Sequence, residues 1–173
     1  MRALLDTSVL IGDSAPRDVE AAISVASLAE LHFGVLITRD DDERARRSQR
    51  LGAIESTFEP LPLTAAIARE WGRLAAAVKT RGGRARRRTM DLAIAATANV
   101  HNVPLLTENT ADFRIIRDLV DVRPPITPEG SWIRPLTRRW RHEVRLQDAA
   151  VRSRRSRSVA MGSRLESGAD PPL

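Results

Sequence analysis

Residues 2–8 read RALLDTS. Ala3, Leu4 and Leu5 form a short apolar run that stops at a carboxylate, Asp6, followed by two hydroxyls, Thr7 and Ser8. A brief apolar run bounded by polar turn formers is expected to be a short buried strand. The aspartate at its end has two readings. It caps the following turn, or it belongs to a site that needs negative charge.

The segments downstream place that strand in a fold. Residues 21–25, AAISV, read as a second strand, and Ser27 is the expected N-cap of a helix running to about Ile37. A further helix begins at Asp40-Asp41-Asp42-Glu43, with Leu51, Ile54 and Phe58 on one apolar face and four acids suited to its positive N-terminal dipole. Pro60 and Pro62 bracket an extended piece ending at Thr64, an expected N-cap. Ile67, Trp71, Leu74, Ala75 and Val78 then follow helical spacing up to Gly82-Gly83. After the basic loop RGGRARRR a helix is expected from about Thr89 to Asn102. A strand follows at 103–107, a short helix at 110–116 and a last strand at 119–122. Strands alternating with helices predict an α/β fold with a mainly parallel sheet. Ligands in such sheets sit outside the carboxyl ends of the strands, where Asp6 falls.

The chain has 173 residues, 42% of them hydrophobic, which suits one domain with an appendage. Cysteine is absent, so disulfides and thiolate metal sites are excluded, as fits a reducing cytoplasm. No secretory signal is expected, because Asp6 interrupts the first apolar run. The most apolar stretch, AAISVASLAELHFGVLI, contains Glu30 and His32 and is too short and polar to span a bilayer, so no membrane partner is expected. The net charge of +6 suggests an anionic partner, but its distribution weakens that inference. Residues 1–123 hold 18 basic against 17 acidic side chains, whereas 124–173 hold 10 against 5. The division expected is therefore a core at 1–123 and a basic, Pro/Arg/Ser-rich, largely disordered tail at 124–173. Within that tail Trp140, Val144 and Val151 mark at most one weak amphipathic helix.

Four acids in the core each have an ordinary reading. Glu30 lies in LAELHFGVL, a helix apolar on nearly every side, where an unpaired carboxylate costs roughly several kcal/mol unless it neutralises or finds a cation. Asp91, in TMDLAIAATA, suits the N-terminus of its helix. Asp112, in NTADFRII, reads as a cap, as does Asp6. Taken together, strand ends and helix starts face the same edge of an α/β sheet. Converging carboxylates raise one another's pKa unless a cation neutralises them. Magnesium suits such a site, taking one or two carboxylates directly and keeping several waters.

DTSVL at 6–10, ISVASLAELHFGV at 23–35, RRTMDLAIAATA at 87–98 and LLTENTADF at 105–113 together resemble the PIN-domain family, and specifically the VapC-type ribonuclease toxins of type II toxin–antitoxin systems. The resemblance spans residues 1 to about 123. It implies a three-layer α/β/α sandwich with a mainly parallel central sheet. It also implies a Mg2+- or Mn2+-dependent endoribonuclease leaving 5′-phosphate and 3′-hydroxyl ends. On the family's motifs Asp6, Glu30, Asp91 and Asp112 match the catalytic acids, with Asp6, Glu30 and Asp91 expected on the metal and Asp112 and Asn109 in an outer position or on a second metal. Thr7, Ser8 and Asn109 match supporting polar positions. The partners implied are a cognate antitoxin, an RNA substrate and a second copy of the chain, with the helices at 27–37 and 41–58 as dimer candidates.

The loop from Arg81 to Arg88 carries five arginines and leads into Asp91. Arg84, Arg86 and Arg87 are candidates for drawing RNA to an acidic site that would otherwise repel it; a plain solvated loop is the competing reading. Two further classes compete with the metal-dependent nuclease. One is a metal-free ribonuclease using two of His32, His101 and His142. The other is a non-catalytic RNA-binding or interaction protein with the same core.

Overall fold

In a computed structural model of the chain, the structure describes residues 1–12, 19–125, 134–135 and 146. The stretch RALL forms β1 (Arg2–Leu5), and Ala3, Leu4 and Leu5 are wholly buried. Near-continuous apolar residues belong in a parallel strand covered on both faces. β1 is the central strand of the sheet. On one side it pairs in parallel with β2 (Glu20–Ala22), and on the other with β3 (Leu105–Leu106). β4 (Val122–Arg123) extends the sheet beyond β3, and β5 (Arg134–Pro135) extends it beyond β2. The order is therefore β4-β3-β1-β2-β5, with every pairing parallel. The parallel α/β/α architecture expected from the sequence is the one present.

Among the described residues five named α-helices cover the sheet. α1 (Thr7–Ile11) follows β1 directly and had no sequence signal of its own beyond Asp6 as a cap. α2 (Val25–Leu36) packs on α3 (Asp41–Thr57), and α4 (Ala65–Thr80) packs on α5 (Thr89–Val100). Every residue of α5 from Leu92 to Ala98 is buried, so this helix forms the centre of its layer. Leu51, Ile54 and Phe58 close the core beneath α3, together with Ile23 and Leu31.

The boundaries differ from the sequence reading at three places. The second strand ends at Ala22, because Ser24 rather than Ser27 caps α2: Ser27 N–H donates to Ser24 Oγ at 3.0 Å. Ser27 lies inside the helix, and its hydroxyl is within 3.0 Å of Ser24 Oγ. The basic loop is partly ordered as a 3-10 turn over Ala85–Arg88. The sheet also continues past residue 123, where the core was expected to stop, since β5 lies at its edge. A proline is tolerated there because an edge strand leaves one side of its ladder unused. The amphipathic segment around Trp140, Val144 and Val151 lies outside the described residues, as does His142.

Thr64 caps α4 as expected, with Ile67 N–H 3.3 Å from its hydroxyl. The other end of α4 closes in a Schellman arrangement. Gly82 takes a positive φ of 78°, Gly82 N–H donates to Lys79 O at 3.1 Å and Gly83 N–H donates to Val78 O at 2.8 Å. Gly83 is fixed by space as well: a Cβ there would come 2.6 Å from Val78 Cγ1 and 2.9 Å from Ile115 Cδ1.

Candidate active site

Asp6 is the first residue past the carboxyl end of β1, and its N–H donates to Leu106 O of β3 at 2.9 Å. It is buried, with 6% of its surface exposed. The capping role expected of it is present but weak, with Ser8 N–H reaching its carboxylate at 3.4 Å. Stronger bonds come from Ser8 Oγ at 2.6 Å and Thr107 Oγ1 at 2.8 Å. All three bonds fall on Oδ2, which leaves Oδ1 without a partner among the described residues.

Thr107 escaped the sequence reading as a site residue. It is wholly buried, lies 3.1 Å from Ser8 Oγ, and accepts a bond from Asn109 N–H at 3.0 Å. Its signal was non-local: Leu5 and Leu106 are register partners, so the residues after them stand side by side where the strands end. Asn109 is exposed and contributes its backbone to this network.

Glu30 reaches the same place from α2. Thr7 Oγ1 donates to Glu30 Oε2 at 2.6 Å, tying the start of α1 to the middle of α2. Burial raises the Glu30 pKa, the Thr7 bond opposes this, and the charges of Asp91 and Asp6 push it further up. The Asp91 carboxyl, in the first turn of α5, is raised by burial and then by the charges of Asp6 and Asp112, with Arg88 opposing. Its side chain accepts no hydrogen bond among the described residues. Asp112 stands exposed at the rim, where Arg88 Nη2 donates to its Oδ1 at 3.2 Å. Arg88, three residues before Asp91, is the second residue that sequence reasoning passed over. The four acids, carried after β1, in α2, in α5 and in the 3-10 turn Thr110–Ile116, thus lie near enough for Asp6 and Asp91 to act on Glu30, and Asp6 and Asp112 on Asp91.

This donor set fits a hydrated divalent cation. Among the described residues no three His, Asp or Glu side chains are grouped so as to hold a metal ion. An ion such as Mg2+ needs no such cage, because it binds through one or two carboxylates and retains waters. The unpartnered Asp6 Oδ1, the unpartnered Asp91 carboxylate and the half-buried Glu30 are the groups that would bind it.

Neither described histidine joins the cluster. His32 Nε2 lies 3.0 Å from Glu55 Oε1, linking α2 to α3 at the surface. His101 is buried at the C-cap of α5 rather than exposed, roughly 15 Å along the helix from Asp91 at 1.5 Å per residue.

Two concavities flank the acids. One, of about 400 Å3, is bordered by Thr7 and Glu30 and by Arg46, Arg47 and Arg50 of α3. The other, of about 600 Å3, is bordered by Asp112 and by Arg84, Arg87, Arg88 and Arg114. Of the three arginines singled out in the sequence, Arg84 and Arg87 line this second cavity, whereas Arg86 is exposed and is not part of its wall.

The chain is similar to several known proteins. Ribonuclease VapC4 of Mycobacterium tuberculosis is 35% identical over 125 residues, which are 68% of this chain and 93% of the relative. Ribonuclease VapC5 of the same organism is 37% identical over 115 residues, 61% of this chain and 82% of the relative. Among solved structures, VapBC-5 of M. tuberculosis, a member of the VapBC family of toxin–antitoxin systems, matches with a TM-score of 0.62 at 33% identity. The match covers 77% of this chain and 98% of that one. A sequence profile of the PIN domain matches residues 3–119, nearly the whole described core, and the chain belongs to the PIN-domain family, among its VapC-type members.

Proposed function

We propose that this protein is a divalent-metal-dependent endoribonuclease that acts as a toxin and is restrained by a cognate antitoxin. The observation that carries the reading is the meeting of Asp6, Glu30 and Asp91 from three separate elements, with Asp6 Oδ1 and the Asp91 carboxylate left without partners among the described residues. The ribonuclease names of the relatives and the toxin–antitoxin description of the solved structure support the substrate class and the partner.

Asp6, Glu30 and Asp91 would hold Mg2+ or Mn2+, which when bound supplies an activated water and charge stabilisation for phosphodiester hydrolysis. The chain's own residues prepare the site. Ser8 and Thr107 hold Asp6 Oδ2, so the carboxylate is oriented before anything binds. Thr7 does the same for Glu30 Oε2. Asp6 or Asp112, the latter exposed and bonded by Arg88, would hold the attacking water or accept its proton. A basic side chain of the antitoxin would neutralise the same acids.

The reading also assigns the apolar end of α2 to a second copy of the chain. Phe33, Leu36 and Ile37 are 62%, 79% and 56% exposed. The apolar excess expected on both helices lies on α2, because the large apolar residues of α3, Leu51 and Ile54, are buried. The nuclease core proposed here needs none of the residues beyond Thr137.

The test is cleavage of RNA by purified protein with Mg2+ or Mn2+, with a chelator, and with Asp6→Asn. Loss of cleavage in the chelator and in the variant, with the variant's circular dichroism unchanged, is expected. Cleavage that survives the chelator, or RNA binding without turnover in excess Mg2+, defeats the proposal.

A further inference from the structure

We propose that the cavity between the arginine turn and the 3-10 turn Thr110–Ile116 is a second RNA phosphate site, in which Arg84, Arg87 and Arg114 seat a backbone phosphate near the one that is cut. This rests on the nuclease reading above and adds to it a built subsite for the substrate.

The two cavities beside the acids differ in how their cations are used. In the cavity beside α3, Arg46 Nη2 and Arg47 Nε pair with Glu43 at 2.7 Å each, and Arg50 donates to the Ile11 carbonyl. Those guanidinium groups are already engaged. In the other cavity, Arg84, Arg87 and Arg114 form no ion pair or side-chain hydrogen bond among the described residues. The one carboxylate in its wall, Asp112, is engaged by Arg88. Three arginines without a counterion among the described residues therefore line one concavity. Like charges gathered without counterions repel one another, so the arrangement favours an anion. The forked N–H groups of arginine match phosphate oxygens.

The cavity is held open by its surroundings. Arg81 grips Asp118 through two bonds, Nη1 to Oδ1 at 2.6 Å and Nη2 to Oδ2 at 2.8 Å, and Nη1 also reaches Ile115 O at 2.6 Å. Gly83 lies against Val78 and Ile115 where no larger residue fits. These contacts join the end of α4 to the 3-10 turn and fix the arginines that follow. Val78, Ile115 and Ala111 give the cavity an apolar side, suited to the ribose or base attached to the phosphate. A volume of about 600 Å3 suits a nucleotide-sized guest. The shared wall places it next to the chemistry, since Asp112 is also one of the charges acting on Asp91. The acids repel a polyanion, and a phosphate held next door offsets that repulsion.

The experiment uses a labelled single-stranded oligoribonucleotide and the full-length Asp6→Asn protein, so that binding is read without turnover. Affinity is measured over a range of KCl concentrations for this parent and for the same protein carrying Arg84→Gln and Arg114→Gln. A control carries Arg39→Gln and Arg69→Gln, which removes equal charge from exposed positions outside the cavity. The cavity variant should bind several-fold more weakly, and its salt slope should fall by about 0.7 for each phosphate no longer neutralised. Arg87→Gln alone should move both in the same direction. An unchanged slope, or an equal loss in the control, overturns the subsite while leaving the nuclease reading standing. Failure of the parent to bind RNA, with no cleavage by the unaltered protein, removes both.

Discussion

Thr107 Oγ1 lies 2.8 Å from Asp6 Oδ2 and joins the ends of two neighbouring parallel strands through their side chains. The bond orients the one buried acid of the cluster, while Asn109 N–H holds the threonine in turn. Outer residues that orient metal-binding groups commonly matter about 10- to 100-fold. Thr107→Val, which keeps the shape and removes the hydroxyl, is expected to lower RNA cleavage by about that factor. Raising the Mg2+ or Mn2+ concentration should recover part of the loss. Cleavage at the unaltered rate would show that Ser8 suffices to hold Asp6.

The raised carboxyls give the metal-free protein a particular pH response. Burial first, and neighbouring carboxylates after it, raise the Asp91 carboxyl, and burial is the largest cause for Glu30 as well. An acid with a higher pKa folded than unfolded binds more protons in the folded state, so its contribution to stability falls as pH rises. The loss begins in the ordinary carboxylate range and is complete above the raised values. Asp118 and Asp121, lowered by hydrogen bonds from Arg81 and Arg123, act oppositely and in a more acidic window. In chelator, the melting temperature should therefore rise as pH drops from neutral toward the ordinary carboxylate range. Asp91→Asn should flatten that rise and increase stability at neutral pH. Melting curves against pH for both proteins decide it.

Two truncations separate the role of the edge strand from that of the residues after it. Removal of residues after Thr137 retains β5, and cleavage should persist at near the full rate. Removal after Arg123 strips β5 from β2, unpairing Glu20 and Ala21 on that side. The shorter protein should melt at a lower temperature and associate more readily through the bared strand. Thermal melting and light scattering on the two proteins measure this. Cleavage lost on the first truncation would assign a catalytic role to the residues beyond Thr137.

The exposed end of α2 predicts self-association. Replacing Phe33 and Leu36 by Glu should convert the protein to a monomer in multi-angle light scattering, with circular dichroism unchanged because both side chains are solvent-facing. A monomer already present before substitution would remove the dimer from the proposal.

What could be read in the chain followed the range of each interaction. Asp6 was legible because a three-residue apolar run leads straight into it. Glu30 was legible as an acid in a largely apolar segment, whereas Asp91 alone read as an ordinary charge at a helix start and gained a site role only beside the other acids and the family resemblance. Ser24 and Ser27 sit three apart, and both are good caps, so choosing between them required knowing that the chain turns just after Ile23. Thr107 is ordinary in sequence and acquires its role only by standing beside Asp6 across a parallel pairing of strands 101 residues apart in sequence. β5 had no signal, since two residues including a proline do not read as a strand. Arg84 and Arg114 are thirty positions apart, and only folding brings them to one cavity.

The acids of the proposed site are spread along the chain, from Asp6 after β1 to Asp112 in the 3-10 turn, each on a different element. No single element carries more than one of them, so the proposed site exists only while β1, α2, α5 and the 3-10 turn are docked together. Local melting of any one of these elements is therefore expected to scatter the proposed site as effectively as removing an acid.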